Sequence, residues 1–211
     1  MGDIKVVSFD LEGTLTTPDF SHAVWYEGIP SLYAARHSID LEEAKAIVRQ
    51  RYQEIGDQRK EWYDIKYWFT RFSLGDHCKV LDKYRNRVDH YTDVLPVLAA
   101  LSKKYRLIVA TNTAREFLPY LLAGLESYFT DVFSSISDYE RPKTPQFYAL
   151  VCREIGIEPW EMAHVGDSWG FDYLPAKEAG IRAFHLNRGQ PSETGDSLKS
   201  LADLETKLQR S

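Results

Sequence analysis

The stretch VVSFDLEGTL, residues 6–15, decides the fold. An apolar, β-branched run from Ile4 to Phe9 ends abruptly in the polar turn Asp10-Leu11-Glu12-Gly13-Thr14. Strands that are buried on both faces of a parallel sheet have such continuous apolar runs, and glycine within a polar cluster marks the loop that follows. The stretch therefore predicts a buried parallel strand with a polar loop at its carboxyl end.

Downstream of residue 91, helix-like and strand-like patterns alternate along the chain. Strands are predicted at Leu107–Ala110, Asp131–Ile136, Met162–Val165 and, as the last one, Ile181–Leu186. Helices are predicted over Val94–Lys104, 115–128, Pro145–Ile155, Leu174–Ala179 and Ser197–Gln209. Such alternation indicates a parallel sheet with right-handed crossovers. The fold class predicted is α/β, with a Rossmann-like parallel-sheet core.

The segment between the first strand and this alternating region has a different composition, because helix formers dominate it and β-branched residues are sparse. A helix is predicted from Leu41, with Ser38 and Asp40 as N-cap signals, and a second helical stretch from Trp62 to Phe72. We therefore predict a helical domain at 17–91 inserted into a core domain made of 1–16 and 92–211.

Composition restricts the classes of partner. The chain has 211 residues, 44% of them hydrophobic, and a net charge of −5, which argues against nucleic-acid and anionic-membrane binding. Cys78 and Cys152 fit neither a metal-ligand spacing nor a disulfide framework. We expect free thiols, a cytoplasmic location, no membrane partner and, by default, a monomer.

Four polar clusters follow predicted strands or open a helix. They are Asp10-Leu11-Glu12-Gly13-Thr14, Thr111-Asn112-Thr113, Arg141-Pro142-Lys143, and Gly166-Asp167-Ser168 with Asp172. Taken singly, each has an ordinary structural explanation as a turn former, a helix cap or a solvated cation. Ligands of open parallel sheets bind beyond the carboxyl ends of the strands, so together the clusters predict one site.

In order and position, these clusters resemble the four motifs of the haloacid dehalogenase superfamily. FDLEGTL resembles the first motif, IVATNT the second, Lys143 the lysine of the third, and HVGDSWGFD the fourth. The resemblance covers nearly the whole chain. It identifies the inserted helical domain with the cap domain that closes over the site in many members of this superfamily.

The resemblance implies a Mg²⁺-dependent phosphatase that acts on a small phosphorylated metabolite. Asp10 would be the nucleophile that forms an aspartyl-phosphate, with Glu12 in the general acid/base position. Asp10, Asp167 and the backbone carbonyl of Glu12 would bind Mg²⁺, and Asp172 would orient the ligands from the second shell. Phosphate oxygens would bind to Thr111, Asn112 and Lys143.

Two positions depart from the usual pattern. Glu12 stands where most phosphatases of the superfamily have aspartate; it has the same acid/base chemistry with a reach one methylene longer, and it argues against dehalogenation. The third motif often reads Lys-Pro-x-Pro, whereas this chain reads Arg141-Pro142-Lys143-Thr144-Pro145. Arg141 is therefore the alternative to Lys143.

The inserted domain is rich in aromatic and basic residues. Its aromatic residues are interpreted mainly as the packing of its own core, with substrate contact as the alternative; they are Trp25, Tyr26, Trp62, Tyr63, Tyr67, Trp68, Phe69 and Phe72. Its cations are interpreted as solvated helix faces or as contacts for an anionic substrate; they are Arg51, Arg59, Lys60, Lys66 and Arg71. A Schiff-base mechanism at Lys60 or Lys66 is disfavoured. A phosphomutase and a low-activity or non-catalytic protein that binds phosphorylated metabolites are the alternative functions.

Overall fold

The computed structural model describes residues 3–189 and 196–209. Within them, six strands form one sheet in which every pairing is parallel. The strands are β1 (Val6–Phe9), β2 (Arg106–Thr111), β3 (Asp131–Ser134), β4 (Met162–Gly166), β5 (Arg182–Leu186) and β6 (Ser197–Leu198). Their spatial order is β3-β2-β1-β4-β5-β6. The predicted α/β fold with a Rossmann-like parallel sheet is confirmed.

Helices precede and follow the strands. The α-helices are α1 (Asp19–Ala23), α2 (Ile29–His37), α3 (Leu41–Ile55), α4 (Lys60–Tyr63), α5 (Ile65–Phe72), α6 (Cys78–Tyr84), α7 (Val94–Leu101), α8 (Leu118–Leu121), α9 (Ser135–Tyr139), α10 (Pro145–Ile155), α11 (Leu174–Glu178) and α12 (Ala202–Gln209). Single π-helical turns occur at Val24–Gly28 and Trp169–Tyr173, and 3₁₀ turns at Arg85–Arg87, Glu126–Tyr128 and Pro159–Glu161. No helix in the described ranges is long and apolar enough to cross a membrane.

The central strands are buried on both faces. All residues of β1 and β4 are buried, and neighbouring residues of β2 belong to different apolar clusters. Leu107 and Val109 pack into one cluster, whereas Ile108 and Ala110 pack into the other. Because side chains alternate across a strand, helices on both faces of the sheet produce continuous apolar runs.

The segment between β1 and α7 contains only helices and turns, apart from isolated bridges at its two ends. Thr17 donates its backbone N–H to Asp89 over 2.9 Å, and Tyr91 donates to Leu15 over 3.2 Å. The two connections to the core therefore run side by side. The division into domains at residues 17 and 91 stays a prediction, which this pairing supports.

Several predicted elements have other bounds in the structure. The helix predicted at 115–128 is wrong in extent, because α8 covers only four residues and Gly124 adopts a positive φ of 81°. The helical stretch Trp62–Phe72 is divided at Asp64, whose extended backbone and side chain cap α5. The prediction of Ile181–Leu186 as the last strand is also wrong, since β6 pairs with β5.

Two other predicted elements shift at one end by a few residues. The extended stretch predicted at Asp131–Ile136 ends at Ser134, where the side chain of Ser134 caps α9. The terminal helix begins at Ala202 instead of Ser197. The two cysteines are free, with Cys78 exposed and Cys152 buried, as the spacing predicts.

Candidate active site

The strand order places the candidate residues at the point where the chain reverses direction across the sheet. From β1 the chain passes to β2 on one side, and it later returns to β4 on the other side. Such a switch point opens a crevice beyond the carboxyl ends of the two central strands. Asp10 and Asp167 directly follow β1 and β4, and Thr111 is the last residue of β2. The three motifs therefore meet at one edge of the sheet.

Lys143 is buried at the centre of the site. Its ammonium Nζ donates to Asp10 Oδ1 over 2.6 Å and also contacts Asp172 Oδ1. The side-chain oxygen of Asn112 accepts from the backbone N–H of Lys143 over 2.8 Å and from the Ser135 hydroxyl over 2.7 Å. Burial alone would lower the pKa of Lys143, but the two carboxylates outweigh burial and raise it. Lys143 is thus a fixed cation beside Asp10.

Asp172 has a complete set of partners. It accepts from the backbone N–H of Ser168 over 2.9 Å, and its Oδ1 lies 3.1 Å from His164 Nε2. The other ring nitrogen of His164 lies 2.9 Å from the Ser8 hydroxyl. Burial opposes ionisation, yet Lys143 and His164 hold the pKa of Asp172 well below its ordinary value. Asp172 therefore holds Lys143 in position through direct contact, and its role in orienting metal ligands stays a prediction.

Three carboxylates lie close together around this lysine. One carboxylate oxygen from each of Asp10, Asp167 and Asp172 lies within 4.8 Å of the other two. Burial, followed by the negative charges of Asp10 and Asp172, raises the pKa of Asp167 to about 7. Gly13 has a φ of +79°, and a Cβ at this position would lie 2.3 Å from Asp167 Oδ2. The loop after β1 therefore approaches Asp167 more closely than a residue with a side chain would allow. The cluster thus offers hard oxygen donors around a point of excess negative charge, and this donor set fits Mg²⁺.

Glu12 lies beside Asp10, at the side of the site that faces the inserted domain. Its Oε2 accepts from the Thr113 hydroxyl over 2.9 Å, and Thr113 in turn lies 3.0 Å from the Thr111 hydroxyl. Burial raises the pKa of Glu12, and the charge of Asp10 adds to this, although the Ser21 and Thr113 hydroxyls oppose it. Glu12 is therefore more readily protonated than an exposed glutamate, which suits a general acid.

A cavity of about 60 Å³ opens between Glu12 and the inserted domain; we call it the aromatic cavity. Its lining residues are Glu12, Trp25, Tyr26, Tyr52, Trp62, Tyr63, Thr113, Ala114 and Phe117. Tyr63 extends to the Asn112 side chain, and its burial raises its pKa. The aromatic cavity therefore continues from the catalytic cluster into the inserted domain.

The structure distinguishes between the alternatives for the third motif. Lys143 is 3% exposed and contacts Asp10, whereas Arg141 is exposed and donates to the carbonyl of Tyr139. The geometry favours Lys143.

Aromatic residues of the inserted domain occupy two kinds of position. Trp68, Phe69 and Phe72 are buried in the apolar core. Four others line the aromatic cavity, namely Trp25, Tyr26, Trp62 and Tyr63, and of these Trp25, Tyr26 and Trp62 also pack against the apolar core, so substrate contact stays a prediction. Packing of aromatic rings and lining of a cavity have the same sequence pattern, so composition could not separate them.

Cations of the inserted domain are solvated and paired with acids. Lys60 lies 3.2 Å from Glu140, and Lys66 pairs with Glu116. The remaining basic residues named above pair with neighbouring acids: Arg51 with Glu54, Arg59 with Glu61, and Arg71 with Glu54. A Schiff-base lysine needs a desolvated amine, and neither lysine is desolvated.

Four residues of the site received no role from the sequence: Ser8, Thr113, Tyr148 and His164. Tyr148 donates its hydroxyl to the Phe171 carbonyl over 3.0 Å and lies 2.9 Å from His164 Nε2. A signal was present, because Ser8 and His164 are isolated polar residues in apolar strands. The β1–β4 register pairs them directly.

Comparisons with known proteins agree with this geometry. A family model described as haloacid dehalogenase-like hydrolase matches residues 4–180. A phosphoglycolate phosphatase of Vibrio vulnificus is 28% identical over 96% of this chain and 96% of its own length. A GMP/IMP nucleotidase of Escherichia coli is 27% identical over 79% and 75%, and a glyceraldehyde 3-phosphate phosphatase of Methanocaldococcus jannaschii is 24% identical over 98% and 99%. The crystal structure of a HAD phosphatase from Thermococcus onnurineus has a TM-score of 0.87 and 25% identity, covering 97% of this chain and 98% of that one.

Proposed function

The chain belongs to the haloacid dehalogenase-like hydrolases, as its four motifs predict, and we propose that it is a Mg²⁺-dependent phosphatase of small phosphate monoesters. The observation that carries the proposal is Asp10 at the end of β1, fixed by the buried Lys143 and adjacent to Glu12. This arrangement combines a nucleophile, a cation and a protonatable acid on one side of the sheet. The relatives named as phosphatases support the same reaction class.

We assign the metal to Asp10, Asp167 and the backbone carbonyl of Glu12. Asp172 already accepts from Ser168 and contacts Lys143 and His164, so it is the least available of the three carboxylates. When bound there, Mg²⁺ would supply positive charge between the phosphate dianion and the carboxylate nucleophile. The crowded carboxylates and the raised pKa of Asp167 support a cation at this position.

In the first half of the reaction, a carboxylate oxygen of Asp10 attacks phosphorus. The bond between phosphorus and the ester oxygen breaks, and its electron pair leaves with that oxygen. Glu12, protonated at this stage, transfers its proton to the departing alkoxide, so the alcohol is released neutral. The Lys143 ammonium, the Thr111 hydroxyl and the backbone N–H of Asn112 donate hydrogen bonds to the phosphoryl oxygens as the charge on these oxygens changes.

In the second half, water attacks the phosphorus of the aspartyl-phosphate. Glu12, now ionised, accepts the proton of the water, and the bond between phosphorus and the Asp10 oxygen breaks. Inorganic phosphate leaves, and both Asp10 and Glu12 return to their initial protonation states. Asp172 takes no part in bond changes; it keeps Lys143 in position.

The direct test is hydrolysis of p-nitrophenyl phosphate with Mg²⁺ and with EDTA, in parallel with Asp10→Asn. Metal-dependent release of phosphate that is lost in Asp10→Asn supports the proposal. A phosphomutase would release no net phosphate and would require a sugar bisphosphate. Metal binding without turnover of any ester would instead favour a binding protein and would overturn the proposal.

A further inference from the structure

The aromatic cavity contains no basic residue within the described part of the chain. Six of its nine lining residues are aromatic, and the remaining three are Ala114, Thr113 and the acid Glu12. The Tyr52 hydroxyl donates to the Trp25 carbonyl over 3.1 Å, so part of the polar edge is already used. A group that enters the cavity therefore meets ring faces, a few hydroxyls and one carboxyl group.

Four basic side chains near the site are paired with acids. Lys143 is buried between Asp10 and Asp172. Lys60 pairs with Glu140 of the core domain, and Lys66 pairs with Glu116 of the same domain. Arg188, on the other side of Glu12, donates to both carboxylate oxygens of Asp93 over 3.0 Å. None of these side chains lines the aromatic cavity.

We propose that the leaving group is an uncharged alcohol bound in the aromatic cavity, and that the chain discriminates against monoesters whose leaving group carries a carboxylate. This inference rests on the proposed function, because Glu12, the proposed acid, lines the aromatic cavity and would protonate an alcohol bound there. A carboxylate there would lose its hydration, face Glu12 and find no cation, and unpaired buried charges are strongly disfavoured.

The sharpest test is a pair of substrates that differ only in charge. Phosphoglycolate and phosphoglycolamide have the same number of heavy atoms, but only the former has a leaving group with a carboxylate. We expect kcat/KM to be about 10²-fold higher for the amide, since an unpaired, like-charged group weakens binding by this order. Equal values, or a preference for phosphoglycolate, would overturn the inference.

p-Nitrophenyl phosphate separates this inference from the proposed function, because its leaving group carries no carboxylate and needs little assistance from an acid. If p-nitrophenyl phosphate is hydrolysed with Mg²⁺ and this activity is lost in Asp10→Asn, the phosphatase assignment stands and the substrate pair tests the inference alone. If no ester is hydrolysed, the proposed function fails and the inference fails with it.

A variant with a new cation in the cavity wall tests whether the lack of a cation causes the preference for the amide. Tyr26 is half-buried in the cavity wall, in ring contact with His22 and Tyr52. Tyr26→Lys is expected to reduce the preference for the amide at least about tenfold by pairing with the carboxylate, whereas the neutral control Tyr26→Met keeps it. An unchanged preference in a folded Tyr26→Lys variant, with a cooperative urea unfolding transition as the check on folding, would contradict the inference. If that variant does not fold, the substrate pair on the natural chain decides.

Discussion

At the scale of single residues, the proposed chemistry depends most directly on Asp10. Asp10→Asn keeps the shape of the side chain and an acceptor for Lys143, but it removes the charge of the nucleophile. We expect hydrolysis of p-nitrophenyl phosphate with Mg²⁺ to fall to background while the thermal unfolding curve stays cooperative. Asp19→Asn, at an exposed position of α1, is the matched control. Wild-type rates in Asp10→Asn would refute the mechanism.

Loss of Glu12 should reduce the rates of different esters to different extents, because a general acid matters only when the leaving group needs a proton. Glu12→Ala is expected to reduce kcat by roughly 10²–10⁴-fold for an alkyl phosphate, and much less for p-nitrophenyl phosphate. Glu12→Asp keeps the carboxyl group and should retain part of the activity. Equal losses for the two esters in Glu12→Ala would remove Glu12 from the acid/base role.

Asp172 is expected to contribute to stability through Lys143. Asp172→Asn leaves the buried ammonium with Asp10 as its remaining anion, and breaking a buried ion pair costs about 3 kcal/mol. The free energy of unfolding from urea denaturation measures this cost. Glu205→Gln removes the exposed partner of Lys104 and should cost less than about 1 kcal/mol. Similar costs for the two variants would mean that Asp172 is not a buried anchor.

At the scale of secondary-structure elements, the sequence predicts best where the signals are local. The helix predicted at Pro145–Ile155 has these bounds in the structure. Thr144 caps its first turn, Pro145 opens it, and Gly156 ends it with a positive φ. The central strands are equally predictable from the sequence, because strands that are buried on both faces have continuous apolar runs.

Elements that depend on distant partners were not predictable in the same way. The two residues of β6 form a strand only because β5 lies beside them, and nothing in Ser197-Leu198 itself indicates it. His164, a partner of Asp172, follows the same rule, since the strand register places it beside Ser8. The motifs identify the proposed nucleophile and the proposed metal ligands from the sequence, whereas only the fold shows which residues position them.

The N-cap of α3 allows a test of one element. The Asp40 side chain accepts from the backbone N–H groups of Glu42 and Glu43. Asp40→Ala should lower the free energy of unfolding by about 1 kcal/mol, whereas Asp40→Asn keeps the acceptor and should cost only part of this. Urea denaturation distinguishes the two variants. A larger loss for Asp40→Asn than for Asp40→Ala would show that the cap is not the cause.

At the scale of the whole molecule, distant segments meet at a few polar contacts. The inserted domain contacts the core through Lys66–Glu116, Lys60–Glu140 and the hydroxyl of Tyr120, which donates to Asp82 over 2.8 Å. These pairs are partly exposed, so each contributes little to stability. The inserted domain is therefore positioned mainly by apolar packing, and this packing forms the wall of the aromatic cavity.

Asp93 connects three segments that are far apart in sequence. Just before α7, its carboxylate accepts from Arg188 after β5, and from the Ser200 hydroxyl and the Leu201 backbone N–H before α12. Burial would raise the pKa of Asp93, but these donors outweigh burial and lower it. A carboxyl group whose pKa is lowered by folding stabilises the protein above its ordinary pKa near 4, and this stability is lost as the pH falls through the folded-state value.

Removal of this charge should therefore destabilise the protein at neutral pH and matter less in acid. Asp93→Asn is expected to lower the free energy of unfolding by about 2 kcal/mol at pH 7, as for other hydrogen bonds to charged groups. The difference from the natural chain should shrink below about pH 4, where the natural Asp93 also becomes protonated. Urea denaturation across this range measures both, with the exposed Asp89→Asn as control. A difference that stays constant with pH would mean that the shape of the side chain, and not its charge, joins these segments.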